Sequence, residues 1–393
     1  MNIEAIKKSA NAIKPWLVEI RRDFHKHPEL GNSEFRTQGK IGEYLEEMGI
    51  RFEKIAETGI MGFIEGKSPG RVVGLRADID ALPMQEKNDV PYRSENDGVM
   101  HACGHDAHTA ILLGTARLLN ERKDEFNGSV KLFFQPAEES SGGAEPMVKE
   151  GCMENPKVDF VLGLHLMPYL ETGQMETRFG KLNAAADRVV IRILGKSAHG
   201  AYPEKGVDAI VASAHVITAL QTLVSRNLSP LNSAVLSFGK ISGGEAGNAL
   251  ASEVTLTGTL RTLDPETRDF CKTRIEEIAV KTAQALGAKA EVNITPGYKP
   301  LINHDDIVKV IVETGTELLG KENVFLKEFP SLGVEDFSFF LDKAKGAFFH
   351  IGCGNKAKNI TAPLHNSSFD LDEDCLPIGA QLQVVNTLKL LKR

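Results

Sequence analysis

Charged and apolar residues alternate at helical spacing through the first fifty positions, and one turn-rich stretch interrupts them, His27-Pro28-Glu29-Leu30-Gly31-Asn32. That pattern predicts two amphipathic helices on either side of a turn. Short apolar runs follow at 60–65 (IMGFIE) and 71–77 (RVVGLRA), then a helix at about 107–120. A strand at 130–135 (VKLFFQ), a short helix near 143–151 and a strand at 158–164 (VDFVLGL) continue the alternation. Strands alternating with helices imply βαβ units around a mostly parallel, buried sheet, whose reactive residues gather in loops at the strand ends.

From about 187 to 295 the rhythm changes. A strand (RVVIRILG) leads to a helix at about 206–226, then to two long strands (SAVLSFGKI and ASEVTLTGTLRT), a helix at about 265–286 and a last strand (AEVNIT). That β-α-β-β-α-β order predicts a ferredoxin-like α+β unit. Pro296-Gly297-Tyr298-Lys299-Pro300 marks its end, and the chain then resumes its alternation up to a helix at about 376–391. The expected division is therefore an α/β domain in two segments, 1–184 and 297–393, interrupted by an inserted domain at 185–296.

Composition narrows the function. The 393 residues carry 46 Lys+Arg against 53 Asp+Glu, a formal charge of −7, which disfavours polyanions such as nucleic acid or an anionic membrane. Five scattered cysteines do not form a disulfide framework. The N-terminal residues lack the apolar core of a signal peptide, and no run approaches the roughly 18 apolar residues of a spanning helix. The expectation is a soluble, cytoplasmic protein that binds a small molecule.

Five places hold residues that are costly to bury without a purpose. His101-Ala102-Cys103-Gly104-His105-Asp106-Ala107-His108 precedes a helix, and its thiolate and imidazole, two residues apart, can reach one metal. Gln135-Pro136-Ala137-Glu138-Glu139 ends an apolar strand; its adjacent carboxylates point different ways, so one can ligate while the other acts as a base. His165 ends the run VDFVLGL, Asp78 and Asp80 follow a buried strand, and His365 lies in the C-terminal loop Pro363-Leu364-His365-Asn366. Taken singly, each has a plainer explanation: a helix cap, a solvated acidic turn, a hydrogen-bonded core histidine. Taken together they offer thiolate, imidazole and carboxylate from separate strand ends of one domain, which suits a pair of transition-metal ions better than Mg²⁺ or Ca²⁺.

These residues fall within a longer set of motifs: RRDFHKHPELGNSEF (21–35), GLRADIDALP (74–83), MHACGHDAHTA (100–110), FFQPAEE (133–139), GLH (163–165), GKSAHGAYPEKGVDA (195–209), GTLRT (258–262), GVEDFSFF (333–340) and LHNSSFD (364–370). In that order they resemble the M20 family of metallopeptidases and amidohydrolases, in the branch of aminoacylases, hippurate hydrolases and indole-acetyl-amino-acid hydrolases. The resemblance implies a metallopeptidase-like α/β domain with an inserted lid that also makes a homodimer, or a tetramer. It implies two divalent ions, Mn²⁺ or Zn²⁺ before Co²⁺ or Ni²⁺, on Cys103, His105, Glu139, His165 and His365. Glu138 becomes the base and then the acid for a metal-bridging water, and Asp78 the aspartate that orients a ligand. His199 stabilises the oxyanion in the partner subunit's site, while Asn248 and Arg261 take the substrate carboxylate.

The activity so implied is hydrolysis of an N-acyl or N-aroyl L-amino acid to a carboxylic acid and a free amino acid. A carboxypeptidase acting on short peptides, or an N-acetyl-diaminopimelate deacetylase, would use the same chemistry. A non-catalytic binding module predicts loss of the base or a ligand, and Glu138 and all five ligands are present. A structural zinc site would favour paired Cys-x₂-Cys, which is absent.

Overall fold

The side chain of Asn2 accepts from the N–H of Ala5 and caps α1 (Ile3–Ala12). α2 (Lys14–Lys26) begins two residues later, so the first of the two expected helices is in fact two. Pro15 has no N–H for the carbonyl of Asn11, and its ring cannot continue the helix that ends there. α3 (Phe35–Glu47) follows. These elements belong to a computed structural model that describes residues 2–393.

The chain continues through β1 (Arg51–Ile55), β2 (Gly59–Glu65), β3 (Val72–Asp78), α4 (His105–Asn120), β4 (Ser129–Gln135) and α5 (Ala144–Lys149). β5 (Phe160–Glu171), β6 (Met175–Thr177) and β7 (Gly180–Asn183) lead to the insertion, made of β8 (Ala185–Leu194), α6 (Ala209–Thr222), β9 (Ala234–Gly243), β10 (Glu253–Thr262), α7 (Pro265–Ala285) and β11 (Lys289–Pro296). After it come β12 (Leu301–Asn303), α8 (Asp305–Leu319), β13 (Val324–Leu326), α9 (Ser338–Leu341), β14 (Lys345–Gly354) and α10 (Cys375–Leu390).

Two compact units result. One holds the chain up to Leu182 with Ile302–Phe329 and Asp336–Arg393; the other holds Asn183–Leu301 and the short stretch Pro330–Glu335. The first unit is built on an eight-stranded sheet in the order β1-β2-β4-β3-β5-β14-β6-β13. Its central ladders, β4–β3, β3–β5 and β5–β14, are parallel, and β1–β2 and β2–β4 are antiparallel. Every residue of β3 is buried, as expected of a strand covered on both faces. α4 and α10 cover one face, with Ile111, Leu112, Leu382 and Val385 fully buried, and Phe337 and Phe340 pack on Phe348 and Phe133 at the other.

β5 departs from expectation in a way that matters for the site. The apolar run suggests a strand ending at Leu164, but β14 supplies ladder partners beyond it, Phe349 for Leu164, His350 for His165 and Ile351 for Leu166. His165 therefore sits inside a strand and not at its end. β1 escapes notice in the sequence because four of its five residues are exposed or half-buried and give no apolar run.

The second unit is an antiparallel sheet in the order β11-β8-β10-β9, the ferredoxin-like arrangement. Val189, Ile191 and Ile193 of β8 pack with Ala212, Val216 and Leu220 of α6 and with Ile275 and Ala279 of α7. The stretch Ala209–Asn227 is long and apolar enough to cross a membrane by length and composition alone. A third of it is buried in this core, while Ile210, Val211 and Val224 are exposed.

Candidate metal centre

Three turns bring the predicted ligands of the first unit together. α4 starts at His105 with Gly104 as its N-cap at φ 86°, a left-handed turn that suits glycine and separates the side chains of Cys103 and His105. β4 ends at Gln135, and the turn after it puts Ala137 at φ 55°. That strained residue is held by Glu34, whose Oε1 accepts the Ala137 N–H at 2.8 Å while Oε2 accepts from the Thr58 hydroxyl at 2.6 Å. His365 is also left-handed, at φ 58°, and its N–H donates to the Ala102 carbonyl at 2.8 Å. Two non-glycine residues in this region, both fastened by hydrogen bonds, mark where backbone strain is concentrated.

The ligand atoms form overlapping triads, each with its atoms within 4.8 Å of one another: Cys103, His105 and His165; Cys103, Glu139 and His365; and His105, Glu138 and Glu139. Cys103 is common to the first two. Its Sγ lies 3.4 Å from Nε2 of His165, and Nε2 of His365 lies 2.9 Å from Oε1 of Glu139. The structure thus brings Cys103, His105, Glu138, Glu139, His165 and His365 into one cluster.

The imidazoles are oriented by what their other nitrogens bind. Nδ1 of His165 donates to the Leu166 carbonyl at 2.8 Å, leaving Nε2 toward Cys103. Nδ1 of His105 faces the carbonyl of Asp80 at 3.0 Å and its Oδ1 at 3.1 Å. Nε2 of His105 is buried with no hydrogen-bond partner, an arrangement that suits a metal ligand with a fixed tautomer. Oδ2 of Asp80 also accepts the backbone N–H of Glu139 at 2.9 Å. Asp80 therefore orients two candidate ligands at once.

Asp78 meets a second imidazole at closer range than it meets His105. Its Oδ1 pairs with Nδ1 of His108 at 2.5 Å, and Nε2 of that same ring accepts the N–H of Leu166 at 3.0 Å. With both nitrogens engaged, His108 has no lone pair left for a metal. Oδ2 of Asp78 accepts from Nη1 of the fully buried Arg76 at 2.7 Å and lies 3.6 Å from Nε2 of His105. Arg76 also donates to Gln135 at 2.7 Å and to Asp336 at 2.9 Å, so it ties the ends of β3 and β4 to the start of α9. The two aspartates of Asp78-Ile79-Asp80 are indistinguishable as letters; only the turn after β3 decides which one meets His105.

A further set lies behind α4. Asp106 accepts from Arg21 Nε and His25 Nδ1, each at 2.8 Å, and Nε2 of His25 lies 3.3 Å from Glu86. The signal available in the sequence is the i, i+4 spacing of Arg21 and His25, which puts both on one face of α2.

The electrostatics favour a cation. Burial alone would lower the pKa of His105, but Asp78 and Asp80 outweigh it and hold the value up at about 10. Burial, with Glu139 and Glu138 nearby, pushes the Cys103 thiol well up. Without metal the cluster keeps protons on these groups. A divalent ion can take their place, and the mixed S/N/O donor set fits a borderline transition metal.

The remaining predicted residues lie in the second unit. His199 is exposed; its Nδ1 accepts the Ala201 N–H at 3.1 Å, so Nε2 carries the proton and is a donor. Asn248 is its neighbour, with its carbonyl accepting the Gly200 N–H at 2.7 Å. Arg261 sits on β10 between Ala186 of β8 and Val235 of β9.

The model of peptidase family M20/M25/M40 matches residues 74–385. The chain belongs to that family. It is thus a hydrolase of the M20 family by descent, as the motifs led one to expect. It is 39% identical over 381 residues to the N-acetyl-L-cysteine deacetylase of Bacillus subtilis, covering 95% of this chain and 89% of that one. It is 36% identical over 392 residues to thermostable carboxypeptidase 2 of Saccharolobus solfataricus, covering 98% of each. Among solved structures, the YXEP protein of Bacillus subtilis, described as a dinuclear metal-binding peptidase of the M20 family, superposes with a TM-score of 0.86 at 34% identity. That match covers 97% of this chain and 99% of that one.

Proposed function

We propose that this M20 hydrolase is a metal-dependent amidohydrolase that cleaves N-acyl or N-aroyl L-amino acids to a carboxylic acid and a free amino acid. The observation that carries the reading is the pair of triads sharing Cys103, with Glu138 beside His105 and Glu139. A shared thiolate supports two ions, and Glu138, beside them, is assigned as the base. Cys103, His105 and His165 would hold one ion, and Cys103, Glu139 and His365 the other. Zn²⁺ and Mn²⁺ are the first metals to try, then Co²⁺ and Ni²⁺. When bound, such ions polarise the amide carbonyl and lower the pKa of water.

The chain's own residues do the rest. Glu138 takes a proton from the attacking water and returns it to the departing amine nitrogen. Asp80 fixes His105 and Glu139. Nε2–H of His199 donates to the oxyanion in the partner subunit of a homodimer formed through the second unit. Asn248 and the Arg261 guanidinium receive the substrate's carboxylate, for which a planar fork is suited.

The carboxypeptidase relative, matched over nearly the whole chain, favours a second reading: removal of the C-terminal residue of short peptides by the same machinery. Released amino acid distinguishes the two. N-acetyl and N-benzoyl amino acids are set beside matched dipeptides, with chelated and with Mn²⁺- or Zn²⁺-reconstituted protein. Metal-dependent release from the acyl-amino acids over the dipeptides supports the first reading, preference for dipeptides the second, and no release from any substrate contradicts both.

A further inference from the structure

Four polar side chains are gathered next to the metal cluster, and the mechanism above uses none of them. Oε1 of Glu176 lies 2.8 Å from Nδ1 of His350, accepts from Nζ of Lys327 at 2.9 Å, and accepts from the Tyr169 hydroxyl. Nζ of Lys327 also lies 3.0 Å from the Tyr169 hydroxyl oxygen. His350 and Glu176 are buried, at 2% and 6% exposure. The three donors hold Glu176 ionised, with its pKa lowered to about 2 against the opposing effect of burial.

The location gives the cluster its interest. His350 on β14 is the ladder partner of His165 on β5, and paired residues of adjacent strands project to the same face about 4.8 Å apart. His350 therefore stands beside a candidate ligand on the ligand's own face of the sheet. Its Nδ1 is committed to Glu176, which fixes the tautomer. Nε2 is then a lone pair, and it makes no hydrogen bond to any described residue.

We propose that His350, held by Glu176, is a specificity-determining residue whose Nε2 accepts an N–H donor on the acyl part of the substrate, the α-amine of an aminoacyl group above all. A carboxylate-backed imidazole is a stiff acceptor, and a buried acceptor discriminates strongly between a substrate that supplies the donor and an isostere that lacks it. The inference rests on the second, peptidase reading and adds to it the group of the peptide that the site recognises.

The test is an isosteric pair, glycyl-leucine and propionyl-leucine, in which an ammonium replaces a methyl group. In metal-loaded enzyme the ratio of kcat/KM, glycyl over propionyl, falls about tenfold or more in His350→Leu, through a raised KM for the glycyl substrate. His350→Gln, which keeps an acceptor, recovers part of that ratio. Glu176→Gln, which frees the ring, lowers it as well and serves in place of His350→Leu should that variant fail to fold. A ratio within twofold of wild type in the folded variants overturns the proposal while leaving the hydrolase reading intact. Failure of the wild type to cleave glycyl-leucine contradicts the peptidase reading and takes this proposal with it.

Discussion

Asp80 grips His105 from behind: Oδ1 of the aspartate lies 3.1 Å from Nδ1 of the imidazole, and the Asp80 carbonyl lies 3.0 Å from the same nitrogen. The second carboxylate oxygen takes the Glu139 N–H at 2.9 Å. One side chain thus sets the direction of an imidazole at the start of α4 and holds the backbone of Glu139 in the turn after β4. Loss of such an outer partner typically costs about 10–100-fold in metal affinity. Asp80→Ala is expected to weaken binding by that factor and to regain activity at high metal concentration. Metal titration checks it; unchanged affinity would mean that the ligands are held elsewhere.

Gly104 carries a prediction about the loop between two ligands. A Cβ there would meet nothing closer than Leu166 Cδ1 at 3.5 Å, an ordinary contact, yet φ is 86°. Gly104→Ala therefore costs only the left-handed backbone penalty, about 1–2 kcal/mol. Thermal unfolding of the metal-free protein measures it. A variant as stable as wild type would contradict the assigned backbone conformation.

Metal uptake should release protons. His105 is held at about 10 and the Cys103 thiol above its ordinary value, so both are protonated at neutral pH without metal, and both must lose the proton to ligate. Affinity then rises with pH. Isothermal titration in buffers of differing ionisation enthalpy counts the protons. No release at pH 7 would contradict ligation by these two residues.

Glu176 predicts a dependence on acid. Its folded pKa, about 2, lies below its ordinary 4.5, so it contributes stability that is fully present above pH 4.5 and is lost as pH falls toward 2. The melting temperature of the wild type should fall across that window more steeply than that of Glu176→Gln. Parallel curves would remove Glu176 from the account of acid stability.

How much of this was legible beforehand differs between elements. β3 and β4 are buried along nearly their whole length, so their apolar runs are plain in the sequence, and the β-α-β-β-α-β order of the second unit follows from its alternation. β1 is invisible because it is mostly solvent-facing, and the break at Pro15 is masked because the amphipathic pattern runs through it. Cys103, His105, Glu138, Glu139, His165 and His365 stand in motifs whose residue types suggest metal chemistry. Which of Asp78 and Asp80 meets Nδ1 of His105 is not legible, because two residues of the same chemistry two positions apart differ only in the turn that aims them. His350 and Glu176 gave no local signal either; a ladder register brings them together from strands 174 residues apart.

The most direct test of the central claim is turnover and metal content measured together on metal-loaded wild type and Glu138→Gln, with an N-acetyl amino acid as substrate. Metal content close to wild type with turnover lost is the predicted result, since Glu138 is assigned to proton transfer and Glu139 to the metal. Loss of metal along with activity would contradict that assignment by exchanging the two glutamates. Retained turnover in the variant would contradict the mechanism outright.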